Sequence, residues 1–174
     1  MDKKTEGALQ IASATLIGAA VIYFSSDIAS LGAYGYAGAF AIALLCNATI
    51  IFPAPGWAIV VALSGTLDPV LLGIVAGIGS AIGELTGFLA GDGVRDILGG
   101  RIKEMKRIEG LVEKYGDAGV FFLAFIPNPL FDVAGIAAGS LKIPWWRYLI
   151  ACAGGRVLRY VLLALIGAFT LGMV

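Results

Sequence analysis

Between Gly7 and Phe24 no side chain is charged, and the stretch is near the ~20 residues that cross ~30 Å of hydrocarbon as a helix. Further apolar runs lie at 31–52, 57–67, 70–91, 118–141 and 148–171. Backbone N–H and C=O groups in hydrocarbon must be bonded within the protein, so these runs are expected to be helical. Composition agrees. Hydrophobic residues make up 59% of the 174, charged residues 14%, and the mean hydropathy is +0.93. A soluble domain carries about a quarter charged residues, and an 18.0 kDa fold could not hide this much apolar surface from water. A net charge of zero gives no pull toward nucleic acid. The absence of histidine removes the usual general base, phosphohistidine nucleophile and metal ligand. Cys46 and Cys152 lie far apart and read as small buried apolar residues. No enzymatic role, no cofactor and no metal is expected. The first run lacks an evident small-residue cleavage site and reads as a mature span.

Several runs are not plain spans. Pro53 and Pro55, followed by Gly56, interrupt the second run. Proline removes a backbone donor and clashes with the preceding turn, so a continuous helix is forbidden there. The segment from Trp57 to Leu67 is too short to cross comfortably before Asp68-Pro69 ends it. Ile126-Pro127-Asn128-Pro129-Leu130-Phe131-Asp132 breaks the run at 118–141 in the same way. Gly79, Gly83, Gly87 and Gly91 are spaced by four and predict one smooth packing ridge. Residues 92–117 form the charge-rich stretch. Apolar residues at Ile97, Leu98, Ile102, Met105, Ile108, Leu111, Val112 and Tyr115 predict an amphipathic helix at the membrane surface or over the bundle. Pro144-Trp145-Trp146-Arg147 reads as an interfacial start to the last span.

Two segments match at an offset of about 74 residues. Phe52-Pro53-Ala54-Pro55 answers Ile126-Pro127-Asn128-Pro129, and Ser64-Gly65-Thr66-Leu67 answers Ala138-Gly139-Ser140-Leu141. One inserted residue later, Gly79 answers Gly154 and Glu84 falls opposite Arg159. If each half is a re-entrant hairpin plus one crossing, the halves must be inverted, as in many carriers. Four crossings with two hairpins and six plain crossings both divide the basic residues eight against two. The positive-inside rule therefore does not choose between them, but both place the 92–117 helix in the cytoplasm.

Glu84, Asp132, Arg156 and Arg159 are ionisable residues inside apolar spans. A charge at the bilayer centre costs from ~2.5 kcal/mol upward, so each needs a partner or water. Arg156 and Arg159 are three apart and share a helix face. One reading is a structural ion pair between spans, with Glu84 taking an arginine. The other is functional: guanidinium groups hold an anionic head group, and desolvated carboxylates load and release a proton.

Gly79-Ser80-Ala81-Ile82-Gly83-Glu84-Leu85 and the run from Ile126 through Asp132 to Ile136, followed by Gly139 and Pro144, resemble the VTT domain of the DedA superfamily. The match is nearest the vacuole membrane protein branch and covers roughly residues 40 to 170. The resemblance implies two facing re-entrant hairpins in an inverted repeat. It also implies phospholipid scrambling in the eukaryotic branch, and polyprenyl-phosphate lipid recycling or proton-dependent transport in prokaryotic relatives. Bacterial members often carry acids in the first hairpin and arginines in and after the second. Here the first hairpin has no acid, and the arginines come later, at 156 and 159. That pattern fits an energy-independent scramblase better than a proton-driven flippase.

The expected architecture is therefore an all-α integral membrane protein. Residues 1–46 would hold N-terminal spans, 47–91 the first hairpin plus span, 92–117 an amphipathic linker helix, and 118–174 the second hairpin plus span. The hairpins would be broken at Pro53, Pro55, Gly56, Pro127, Pro129, Gly135 and Gly139. The expected function is transbilayer movement of lipids, as a phospholipid scramblase or polyprenyl-phosphate lipid flippase. Glu84, Asn128, Asp132, Arg156 and Arg159 would line the groove. The alternative is a proton- or ion-coupled transporter of a small solute. Membrane lipids with anionic head groups are the expected partners, and a homo-oligomer is left open. The compact length suggests a multi-pass protein of a prokaryotic, for example archaeal, cell membrane.

Overall fold

The computed structural model describes residues 33–48, 56–89, 102–126, 135, 138–139, 141 and 143–171, with backbone alone at 33, 102–107 and 109. Among them all regular structure is helical: α1 (Ala33–Ala48), α2 (Gly56–Leu63), α3 (Pro69–Leu89), α4 (Ile102–Phe125) and α5 (Trp145–Thr170). Helices α3 and α5, of 21 and 26 residues, are long and apolar enough to cross a membrane. Pro53, Pro55, Pro127, Asn128, Pro129, Asp132 and the first predicted span lie outside the described residues.

Local chemistry sets the short elements. Helix α2 starts directly after Pro55 and has only 8 residues, about 12 Å. It closes in a turn where Thr66 and Leu67 N–H both donate to the Leu63 carbonyl at 3.0 Å. Asp68 then caps α3, its Oδ1 accepting the Leu71 N–H at 2.7 Å, and Pro69 occupies the first helical position. Helix α4 is broken at Gly116, where φ is 55° and ψ is −133°. Only glycine adopts that conformation readily, so residues 102–115 and 117–125 are two helices joined at a glycine corner.

The predicted amphipathic helix is thus split in its use. Ile108 and Val112 are buried in a cluster with Ala81, Phe88, Val120, Ala124, Tyr148 and Cys152. Leu111 and Tyr115 are exposed, and Phe122 and Ile126 continue that apolar outer face beyond the corner. On α3 the exposed side reads Leu71, Ile74, Ile78, Ile82 and Leu89; on α5 it reads Ile150, Leu158, Leu162, Ile166 and Phe169. Large apolar residues outside and charged residues within suit hydrocarbon as the solvent.

Glycines set the helix spacing, but on two faces of α3. A Cβ on Gly73 or Gly77 would lie 2.4 Å from Val161 Cα or 2.5 Å from Val157 Cα, so this face carries α5. A Cβ on Gly79 or Gly83 would lie 2.5 Å from the Phe40 carbonyl oxygen or 2.4 Å from that of Leu44, so this face carries α1. Of the predicted ridge at 79–91, Gly79 and Gly83 carry α1; among the described residues a Cβ on Gly87 meets nothing within 4 Å, and Gly91 lies outside the described residues. Gly155 brings α5 against α4, 2.4 Å from the Phe121 carbonyl oxygen by the same measure.

These contacts define the helix directions. Tyr36 Oη accepts the Asp68 N–H at one end of α1, and the Thr86 hydroxyl donates to the Ala48 carbonyl at the other, so α1 and α3 are parallel. Asp117 meets Arg147 while Phe121 and Ala124 meet Gly155, so 117–125 and α5 are also parallel. The pairings of Gly73 with Val161, Gly77 with Val157 and Phe88 with Tyr148 make α3 and α5 antiparallel. Short α2 packs across onto α5, where a Cβ on Gly167 would meet Ser64 Oγ.

Candidate functional site

The buried stripe of α5 reads Tyr148, Cys152, Arg156, Tyr160, Ala164 and Ala168, each four residues from the next and none more than 5% exposed. On a helix this spacing makes one ridge. The matching face of α3 reads Gly73, Gly77, Ser80 and Glu84. Glycines at the far end bring the two backbones together, while larger polar side chains fill the space nearer Glu84.

There Glu84, 3% exposed, accepts a charge-assisted hydrogen bond from an Arg156 Nη; Arg156 is 5% exposed. Arg156 lies 11 residues into α5, about 16 Å from Trp145, well inside a ~30 Å hydrocarbon layer. Helix side chains lean toward the N-terminus. In antiparallel helices Glu84 and Arg156 therefore lean toward one another from different levels, which closes an axial gap of several residues. Tyr148, Cys152 and Tyr160 lie within electrostatic range of the guanidinium. Ser80 Oγ, one turn before Glu84, is fully buried and makes no hydrogen bond among the described residues.

Two described glycines that follow the proline-rich sequences lie near the two tyrosines of this stripe. A Cβ on Gly56, at the start of α2, would stand 3.5 Å from Tyr160 Oη and 3.9 Å from Asn47 Nδ2. A Cβ on Gly135, just past the second proline-rich segment, would stand 3.0 Å from Tyr148 Oη and 3.6 Å from the Glu84 carbonyl oxygen. The described ends of both breaks thus reach the level of the ion pair. Gly139 is helical and partly buried, and Arg159 is partly buried on the same helix as Arg156.

Of the predicted site residues, the structure joins Glu84 to Arg156, sets Gly135 beside the Glu84 carbonyl and sets Gly56 beside Tyr160. Asn128 and Asp132 lie outside the described residues. Sequence reasoning missed Ser80, Tyr148, Cys152 and Tyr160 as parts of this cluster. The four-residue spacing of 148, 152, 156 and 160 was the available signal.

The class defined by these features is a helical membrane protein with a buried ion pair between antiparallel helices. The VTT domain matches residues 53–169, and the chain belongs to that family. It is 41% identical over 51 residues to vacuole membrane protein 1 of Homo sapiens, covering 29% of this chain and 13% of that one. It is 28% identical over 127 residues to vacuole membrane protein KMS2 of Arabidopsis thaliana, covering 62% of this chain and 30% of that one. With KMS1 of the same plant it shares 30% over 106 residues, 49% of this chain and 26% of that one. The chain thus spans under a third of the length of these relatives. No solved structure matches it. These relatives are eukaryotic, which weighs against the prokaryotic source expected from length.

Proposed function

We propose that this protein moves lipids between the leaflets of a membrane along a groove between two re-entrant hairpins. The carrying observation is directional. Among the described residues α1 and α3 run parallel with short α2 between them, 117–125 and α5 run parallel, and α3 and α5 run oppositely. Two parallel helix pairs of opposite direction beside one ion pair support an inverted repeat. On this reading the first hairpin begins with α1 and ends at Asp68, because α1 and α3 are parallel and α2 alone is too short to span. Asn128 and Asp132, in the second break, would join Arg156, Arg159 and Glu84 in offering polar contacts to a passing head group while the acyl chains stay in hydrocarbon.

Reconstitution into liposomes with a trace of fluorescent phospholipid tests this. Dithionite added outside will quench label from both leaflets in proteoliposomes, against about half in protein-free vesicles. Quenching that stops at the outer leaflet, with incorporation verified, overturns the reading. The second reading, a proton- or ion-coupled carrier of a small solute, draws on the buried carboxylate of Glu84 beside Arg156. Asp132→Asn separates the two: a passive lipid path will keep its rate across pH, whereas a coupled carrier will lose its pH dependence.

A further inference from the structure

We infer that ordered water is bound in the α3–α5 seam, between the Glu84–Arg156 pair and two hydroxyls beside it, Ser80 Oγ and Tyr148 Oη. Both residues are 0% exposed, and neither hydroxyl has a hydrogen-bond partner among the described residues. Protein or ordered water satisfies nearly all buried hydroxyls, because an unpaired one gives up its hydration for nothing in return. Ser80 stands apart from its own kind. Ser64, Thr66, Thr86 and Thr170, the other serine and threonine residues described, each donate to the carbonyl three residues back. That local bond is the ordinary resort of a helical hydroxyl, and Ser80 does not make it. The neighbour of Tyr148 on its own helix is the Cys152 thiol, a weak acceptor.

The order of residues along α3 places both groups at the pair. Gly77 packs on Val157, Ser80 follows, Glu84 binds Arg156, and Phe88 stacks on Tyr148 with ring centroids 4.7 Å apart. Ser80 and Tyr148 thus bracket the two ions. Helix side chains cover the turn before their own Cα, so Glu84 lies over the turn that holds Ser80. Tyr148 lies within electrostatic range of both Glu84 and Arg156. A carboxylate offers about four acceptor positions and a guanidinium five donors, so both ions can share a water in addition to their other bonds. Ser80, Glu84, Tyr148 and Arg156 are each at most 5% exposed, which closes the seat to larger ligands. A bound water with two to four polar partners is the usual occupant of such a place. The inference stands apart from the lipid reading, because it follows from the hydroxyls and the ions alone.

Radiolytic footprinting of the full chain in lipid nanodiscs tests this. A short X-ray pulse makes hydroxyl radicals from bound water as well as bulk water, and a radical made beside a buried side chain oxidises it there. Peptide mass spectrometry reads the oxidation rate of each residue, scaled by the intrinsic reactivity of its type. Tyr148 is the reporter, and Leu72 and Ile108, at 0% and 1% exposed, are the references from elsewhere in the core. Tyr148 will be oxidised at least about fivefold faster than either. Ser80→Ala gives a second readout whose sign differs between a wet and a dry seat. In a dry seat the change removes an unpaired hydroxyl and adds helix propensity, so the thermal midpoint rises. In a hydrated seat it removes a water contact shared with two ions, and the midpoint will fall by about 2–4 °C. Tyr148 oxidised no faster than Leu72 and Ile108 overturns the inference. A midpoint unchanged or raised by Ser80→Ala does so as well.

Discussion

Arg156→Leu will destabilise the protein by about 3–5 kcal/mol, because it strands the Glu84 carboxylate in a buried, low-dielectric position. Glu84→Leu will cost a similar amount by stranding the guanidinium. The double variant Glu84→Leu, Arg156→Leu will recover most of the loss, since an apolar pair of similar volume replaces two desolvated ions without leaving either alone. Unfolding midpoints of the detergent-solubilised protein check this; a double variant as unstable as the sum of the singles overturns it. The same double variant distinguishes a structural lock from a working part of the path. If head groups use the pair, the refolded double variant will move lipid at least about tenfold more slowly, a barrier increase of about 1.4 kcal/mol. Unchanged lipid movement would assign the pair to stability alone.

Gly77→Ala and Gly87→Ala will have opposite signs. Both gain the ~1 kcal/mol by which alanine exceeds glycine in a helix interior. At position 77 the added Cβ would lie 2.5 Å from Val157 Cα and 2.8 Å from its backbone nitrogen, so α3 and α5 must move apart. Overpacking of this kind costs about 1–3 kcal/mol, enough to exceed the gain in propensity. At position 87 no atom of a described residue lies within 4 Å of the added Cβ, so the propensity gain stands and the variant is stabilised. Unfolding midpoints of the two single variants decide the matter. Equal shifts would show that the α3–α5 contact is looser than these distances state.

Much of the fold was legible from element chemistry. Pro53 and Pro55 required a break, and helix α2 begins directly after them. Asp68-Pro69 announced the start of α3, and Trp145-Trp146 that of α5. That Glu84 could pair with an arginine was one of the two readings available, because an ion left alone in hydrocarbon is too costly. Two features were not readable. The end of the charge-rich stretch at 117 put an element boundary beside Gly116, but the sharp corner there was not readable, because a positive φ leaves no trace in hydrophobic spacing. Four-residue spacing likewise suggested one glycine ridge at 79–91, whereas the contacts of α3 divide between Gly73 and Gly77 on one side and Gly79 and Gly83 on the other.

By itself the sequence determined the solvent, the helical class, the family resemblance and the places where helices must stop. Those follow from local rules: backbone groups must be bonded inside hydrocarbon, and proline cannot continue a helix. Only the tertiary structure decided which arginine takes Glu84, that α1 runs parallel to α3, and that Asp117 and Arg147 pair across the starts of two parallel helices. Offset arithmetic set Arg159 opposite Glu84, but antiparallel helices whose side chains lean toward their own N-termini bring Arg156 to it. Direction and lean are properties of packed helices, and no spacing within one helix contains them.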